Sequence, residues 1–222
     1  MIFSCKKEDV ETIVVEGAVA DDASKNPLAG IIIFIDGIKS SSGMGIITDG
    51  KRETVGRATT DANGYYKAKL KIFKDAEYLE FYLNPGKPKQ GYVERQQDIY
   101  LSNLDKNGSN KVDFTLSPTA LLKINFKNAS AVSDSDFFYF SWMADGNGWP
   151  KGILQKENCS SVAASEALTW TGKDVCGIFT VETIAEKYTT VFWTVKKSGI
   201  TKQYWDSVFV KRGLINEFSL NY

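Results

Sequence analysis

The sequence predicts an all-β protein of two consecutive β-sandwich domains, and three observations predict it. Apolar and polar residues alternate with a period of two along much of the chain. The runs that carry this alternation are short and are separated by turn clusters of Asn, Asp, Gly and Pro. The length of 222 residues allows one large domain or two small ones.

The first domain is expected over about residues 10–118. Val15, Gly17 and Val19 alternate with Val14, Glu16 and Ala18. Ile31 to Ile35 is a short β-branched run of the kind that forms a buried strand. Tyr66, Ala68, Leu70 and Ile72 share one face while Lys67, Lys69 and Lys71 share the other. Leu79, Phe81 and Leu83 repeat the pattern, as do Gln97, Ile99 and Leu101, and then Val112, Phe114 and Leu116. Asn26-Pro27, Asp61-Ala62-Asn63-Gly64, Asn84-Pro85-Gly86 and Asn107-Gly108 supply the turns. About seven strands over this length is sandwich spacing.

Three motifs stand in order here: Glu16-Gly17-Ala18-Val19, Pro27-Leu28-Ala29-Gly30, and Thr59-Thr60-Asp61-Ala62-Asn63-Gly64-Tyr65-Tyr66. Their order resembles the carboxypeptidase regulatory-like domain, a transthyretin-like seven-stranded sandwich. The resemblance covers about half the chain and implies a stalk or adaptor rather than an enzyme. A Gly/Ser-rich stretch, Ser40 to Gly45, lengthens the connection between Asp36 and Val55 relative to that family.

Pro118 marks the junction to a second domain over about residues 119–222. Leu122, Ile124 and Phe126 alternate with Lys123, Asn125 and Lys127. Asp136 to Met143 is apolar on both faces, and 189–196 with 203–211 reads as a hairpin turning at Lys197-Ser198-Gly199. Residues 217–222 form a last strand, and the Ala/Ser-rich stretch 160–168 suits a short helix. The resemblance does not extend to this half.

All five tryptophans lie in the second domain. Trp193, and one of Trp142 and Trp205, are expected in the core, since a large aromatic anchors a sandwich. Trp149 sits in the turn-forming Asp145-Gly146-Asn147-Gly148-Trp149-Pro150 and is the first candidate for ligand contact, followed by Trp142 and Trp170.

The N-terminus opens Met1-Ile2-Phe3-Ser4-Cys5-Lys6-Lys7-Glu8-Asp9. Ile2 to Cys5 resembles the end of a bacterial lipoprotein signal, and the charged run after it resembles the export tags of surface lipoproteins in the Bacteroidota. The resemblance implies that Cys5 is acylated, that residues 1–9 are a tether, and that the protein is lipid-anchored at the outer membrane or cell surface. The basic and apolar regions of such a signal do not precede it in this sequence. An envelope address permits a disulfide between Cys159 and Cys176, in a loop of about 18 residues. The residues leave open whether those two pair or remain separate thiols.

Histidine is absent, which removes His-based acid–base chemistry, Ser-His and Cys-His nucleophiles and His-ligated metals. Three cysteines at these spacings fit no zinc motif. The 27 basic residues balance the 27 acidic ones with no basic stripe, which argues against nucleic acid as a partner. Asp105-Lys106-Asn107-Gly108-Ser109 has alternating oxygen ligands but lacks the rest of a calcium loop. Asp134 and Asp136 form an acid pair without a placed partner. The expectation is a non-catalytic surface lipoprotein without cofactor or metal: a spacer domain followed by a domain that binds glycan or an envelope protein. The alternatives are a structural subunit of a fimbrial or outer-membrane assembly and, more remotely, a carboxylate-based glycan enzyme. An exposed aromatic cluster would favour glycan or envelope-protein binding, and a long unpaired edge strand the structural subunit. Oligomeric state is not legible.

Overall fold

The structure, a computed structural model, describes residues 10–41, 50–144, 153–159 and 168–222. The chain divides between Ser117 and Pro118 into two compact units.

The first unit contains β1 (Val10–Asp21), β2 (Ile32–Lys39), β3 (Lys51–Thr59), β4 (Tyr65–Phe73), β5 (Tyr78–Leu83), β6 (Arg95–Tyr100), β7 (Ser109–Lys111) and β8 (Phe114–Leu116). One sheet runs β4-β1-β7, with β8 also on β1, and the other runs β3-β2-β5-β6. The alternation does what it predicted in β4: Tyr66, Ala68, Leu70 and Ile72 are buried and the three lysines face water. The inner faces of the two sheets close over one apolar core that includes Ile13, Ile33, Leu70, Phe81 and Phe114.

Val112, Phe114 and Leu116 do not share one strand. β1 pairs in parallel with β7 at Val14–Glu16 and with β8 at Val19–Asp21. Between these pairings, Asp113 accepts the Ala18 amide at 2.9 Å and breaks the ladder. The motif residues hold this unit together. The Thr60 hydroxyl donates to the Leu28 carbonyl at 2.6 Å and accepts the Ile31 amide at 2.8 Å. Asp61 accepts the amides of Asn63 and Tyr65. Gly64 takes φ +74°, and a Cβ there would lie 2.7 Å from the Val19 carbonyl oxygen, so both its conformation and its space require glycine.

The second unit contains β9 (Thr119–Lys127), β10 (Phe137–Ala144), β11 (Ile153–Asn158), β12 (Thr169–Thr171), β13 (Cys176–Ile184), β14 (Lys187–Lys197), β15 (Ile200–Val210) and β16 (Ile215–Asn221). Its sheets are β12-β10-β14-β15 and β11-β13-β9-β16. β16 joins β9 in parallel, and every other pairing in this unit is antiparallel. The core is an aromatic stack. Trp170 lies 4.6 Å from Phe126 and nearly parallel to Phe140 at 5.5 Å, with Phe179 edge-on. The expected helix at 160–168 falls almost wholly outside the described residues. Only Leu168 is described, and it sits in a bend with φ 55°.

Candidate functional site

The β14–β15 hairpin turns through two residues, Ser198 and Gly199, both with positive φ (48° and 78°). This is the turn whose twist matches a β-hairpin, and it makes Lys197 and Ile200 the first hydrogen-bonded pair. Hydrogen-bonded pairs then recur at every second residue. The even-numbered residues of β15 therefore bond β14, and the odd-numbered ones point their N–H and C=O groups away from it. The Ser207 amide shows this, since its N–H donates to the Asp206 carboxylate at 2.7 Å instead of to β14.

No second strand flanks β15 among the described residues. Its register with β14 runs unbroken from Lys187↔Val210 to Lys197↔Ile200. It holds no proline and no bulge, the usual devices that blunt a sheet edge, and its only charges are Lys202 and Asp206.

The two faces of the hairpin differ. On the inner face Val210 is buried and Val208 packs against the core, but Ile200, Lys202 and Tyr204 stay exposed. With Trp193, Val195, Asn221 and Tyr222 they line an open groove of about 380 Å³. Tyr204 stacks on Trp193 at 5.5 Å. Lys197, at the groove's end, donates to the Asn128 side chain and the Ser130 carbonyl, both at 2.8 Å, and lies 5.0 Å over the Tyr222 ring. On the outer face Trp205 stands opposite Phe192 and is 71% exposed. Phe209 meets Tyr188 edge-on at 5.3 Å, and the Thr190 and Ser207 hydroxyls bond between them at 2.9 Å.

The tryptophan expectations need correction. Trp142 is 6% exposed on the inner face of β10, and Trp170 is 2% exposed in β12. Neither ring can reach a ligand, because both are packed among the phenylalanines of the core. Trp149 and Cys5 lie outside the described residues. Among the described tryptophans Trp205 is the exposed ring instead. Its parity, opposite to that of the inward Val208 and Val210, was the signal in the sequence that could have placed it outside.

Cys159 and Cys176 form a disulfide, with Cα atoms 5.3 Å apart, where the ends of β11 and β13 meet. The Asp105 loop is a turn: Asp105 accepts the Asn107 amide, and Asn110 closes it through the Asp105 amide and carbonyl. No group of metal-ligating side chains occurs among the described residues. Asp136 accepts the Val132 and Ser133 amides, the Ser133 hydroxyl and the Asn128 side chain. The Val132 amide first, with Asn128 and Ser133, lowers its carboxyl to about 2 against the opposing effect of burial. Asp134 is exposed and pairs with Lys173 at 3.5 Å. Asp136 thus builds a turn, and Asp134 faces solvent.

No known family model matches the chain, and no curated protein does. Among solved structures it is similar to the shaft pilin SpaA from Lactobacillus rhamnosus GG, at 14% identity and TM-score 0.36, covering 96% of this chain and 98% of that one. It is also similar to 3-chlorocatechol 1,2-dioxygenase from Rhodococcus opacus 1CP, at 14% identity and TM-score 0.33. That match covers 51% of this chain and 62% of the dioxygenase. A 9R-lipoxygenase from Cyanothece PCC8801 matches at 16% identity and TM-score 0.31, over 52% of this chain and 18% of the other. These span a pilin and two enzymes, and the likeness assigns no function. No helix among the described residues is long and apolar enough to cross a membrane.

Proposed function

We propose that this protein is a non-catalytic structural subunit of a bacterial surface assembly, anchored through a lipid on Cys5. In this reading the first sandwich is a carboxypeptidase regulatory-like spacer and the second makes the contacts. One observation carries it: β15 is an eleven-residue strand that no described strand flanks on the side away from β14, with no bulge and no proline. Such an edge is a template for adding a strand from another chain, where main-chain bonds supply affinity and flanking side chains supply selectivity. The motif residues of the first unit fit the spacer role, since Thr60, Asp61 and Gly64 all hold the fold.

A photo-crosslinking residue at position 205, compared with one at the exposed Lys69 of the first unit, tests this in intact cells. Protein adducts at 205 and not at 69 support the reading. Equal or absent capture at both positions overturns it.

Carbohydrate recognition is the second reading, favoured by the exposed Trp205 ring on a sheet face that also carries the Thr190 and Ser207 hydroxyls. A glycan array probed with the parent and with Trp205→Ala decides it: binding lost in the variant supports it, and no binding by the parent removes it for the sugars tested.

A further inference from the structure

The charge pattern of β15 identifies what adds to its edge. We propose that it is β15 of a second copy, antiparallel, in the register centred on Tyr204. This rests on the reading of β15 as a contact edge and adds the partner and the register.

A twofold axis perpendicular to the sheet extends the sheet across both copies and keeps each inner face on the inner side. Opposed residues in an antiparallel pair point to the same face, so each residue must meet one of its own parity, and the axis must run midway between the two copies of one residue. Centring on Tyr204 sets Lys202 opposite the second copy's Asp206, and Asp206 opposite its Lys202, which pairs all the charges of both strands. It also sets Ile200 opposite Val208, Thr201 opposite Ser207, and Gln203 opposite Trp205. Moving the axis to Gln203 sets Lys202 against Tyr204 and Asp206 against Ile200. Moving it to Trp205 sets Lys202 against Val208 and Asp206 against Tyr204. Both alternatives leave charges against uncharged side chains, which is costly where water is partly excluded.

The hydrogen bonds agree. The odd-numbered residues face the free edge, so Thr201 would bond Ser207 of the second copy and Gln203 would bond Trp205, in about eight ladder bonds. Lys202–Asp206 and Tyr204–Tyr204 become non-hydrogen-bonded pairs, whose side chains lie closest. In the single chain the Asp206 carboxylate covers the Ser207 amide. In the pair that amide donates to Thr201 across the edge, and the carboxylate is released to Lys202. Trp205, 71% exposed in one chain, comes to lie diagonally beside Trp205 of the other, and Ile200, 62% exposed, covers Val208.

Sedimentation of the full chain, parent against Lys202→Asp, Asp206→Lys and the double swap, tests the pairing. The parent should dimerise, each single reversal should weaken the dimer about tenfold or more, and the double swap should restore it. Tyr204→Cys in a Cys5→Ser background should form an intermolecular disulfide, since centre residues face each other about 4.5 Å apart. Lys202→Cys should not. A monomeric parent that still gives adducts with another envelope protein at position 205 overturns the second copy and leaves the contact edge standing. A monomer with no adducts overturns both. A dimer that ignores the single reversals, or fails to crosslink through Tyr204→Cys, overturns the register.

Discussion

Gly17 and Val112 meet backbone to backbone: a Cβ added to Gly17 would lie 1.9 Å from the Val112 carbonyl oxygen. That carbonyl also accepts the buried Tyr66 hydroxyl at 2.7 Å, so it cannot move aside without losing a bond. Gly17→Ala should destabilise the first unit by about 3 kcal/mol, and Tyr66→Phe by about 1 kcal/mol. Urea unfolding followed by signals from each unit checks this. An unchanged midpoint for Gly17→Ala would refute the close approach.

Asp136 sets an acid limb on the stability of the second unit. Its carboxyl lies at about 2 in the folded chain against an ordinary 3.8, so the unfolded chain binds the proton more readily. Stability from this group is present above about 4 and is lost as pH falls toward about 2. Asp136→Asn should flatten the fall in melting temperature across that window. A variant whose acid limb matches the parent's would show that the hydrogen bonds to this carboxylate do not set it.

The Cys159–Cys176 bond closes a loop with a sequence separation of 17 that includes β12 and Trp170. Reduction, or Cys159→Ser with Cys176→Ser, should cost the second unit about 3 kcal/mol. The melting temperature of that unit should fall while that of the first stays in place.

The tryptophans should separate by quenching. Trp205→Phe should remove most of the emission accessible to acrylamide among the described tryptophans, whereas Trp142 and Trp170 are shielded in the core. Trp170→Ala should cost about 3–5 kcal/mol, because four core phenylalanines stack around it.

Gln203→Pro should abolish contacts at the β15 edge and leave the melting temperature within a few degrees of the parent. The amide it removes points away from β14, and an edge strand tolerates proline on that side. A collapse in melting temperature would show that the parity assigned to the strand is wrong.

Where one face of a strand is buried and the other wet, the sequence shows it. β4 could be read residue by residue, as could the Ser198–Gly199 hairpin and the turn at Asp61 to Gly64. β13 was harder to see: Gly177 and Thr183 on its buried face weaken the contrast, and Ile178 and Ile184 add apolar residues off the alternation. The tryptophans could not be sorted by residue type, because burial depends on which strand lies opposite. Trp170 is in the core because β12 closes over Phe126 and Phe140, contacts distant in the chain that no local pattern records. The open edge was hidden for the same reason: the residues of β15 do not record their neighbours, and only the sheet order shows that no described strand flanks its far side.

Both units set their first strand beside a later one in parallel: β1 with β7 and β8, and β9 with β16. The chain therefore enters β9 at one end of that ladder and leaves β16 at the other. A pull between Thr119 and Asn221 runs along the strands and shears the rungs from Ile215↔Leu121 to Asn221↔Lys127 together. A pull between Lys187 and Val210 instead opens the β14–β15 hairpin one rung at a time. Optical tweezers attached at these two pairs of positions should record a much higher rupture force for the first. In each unit, tension applied along the terminal strands would therefore load their parallel ladder in shear.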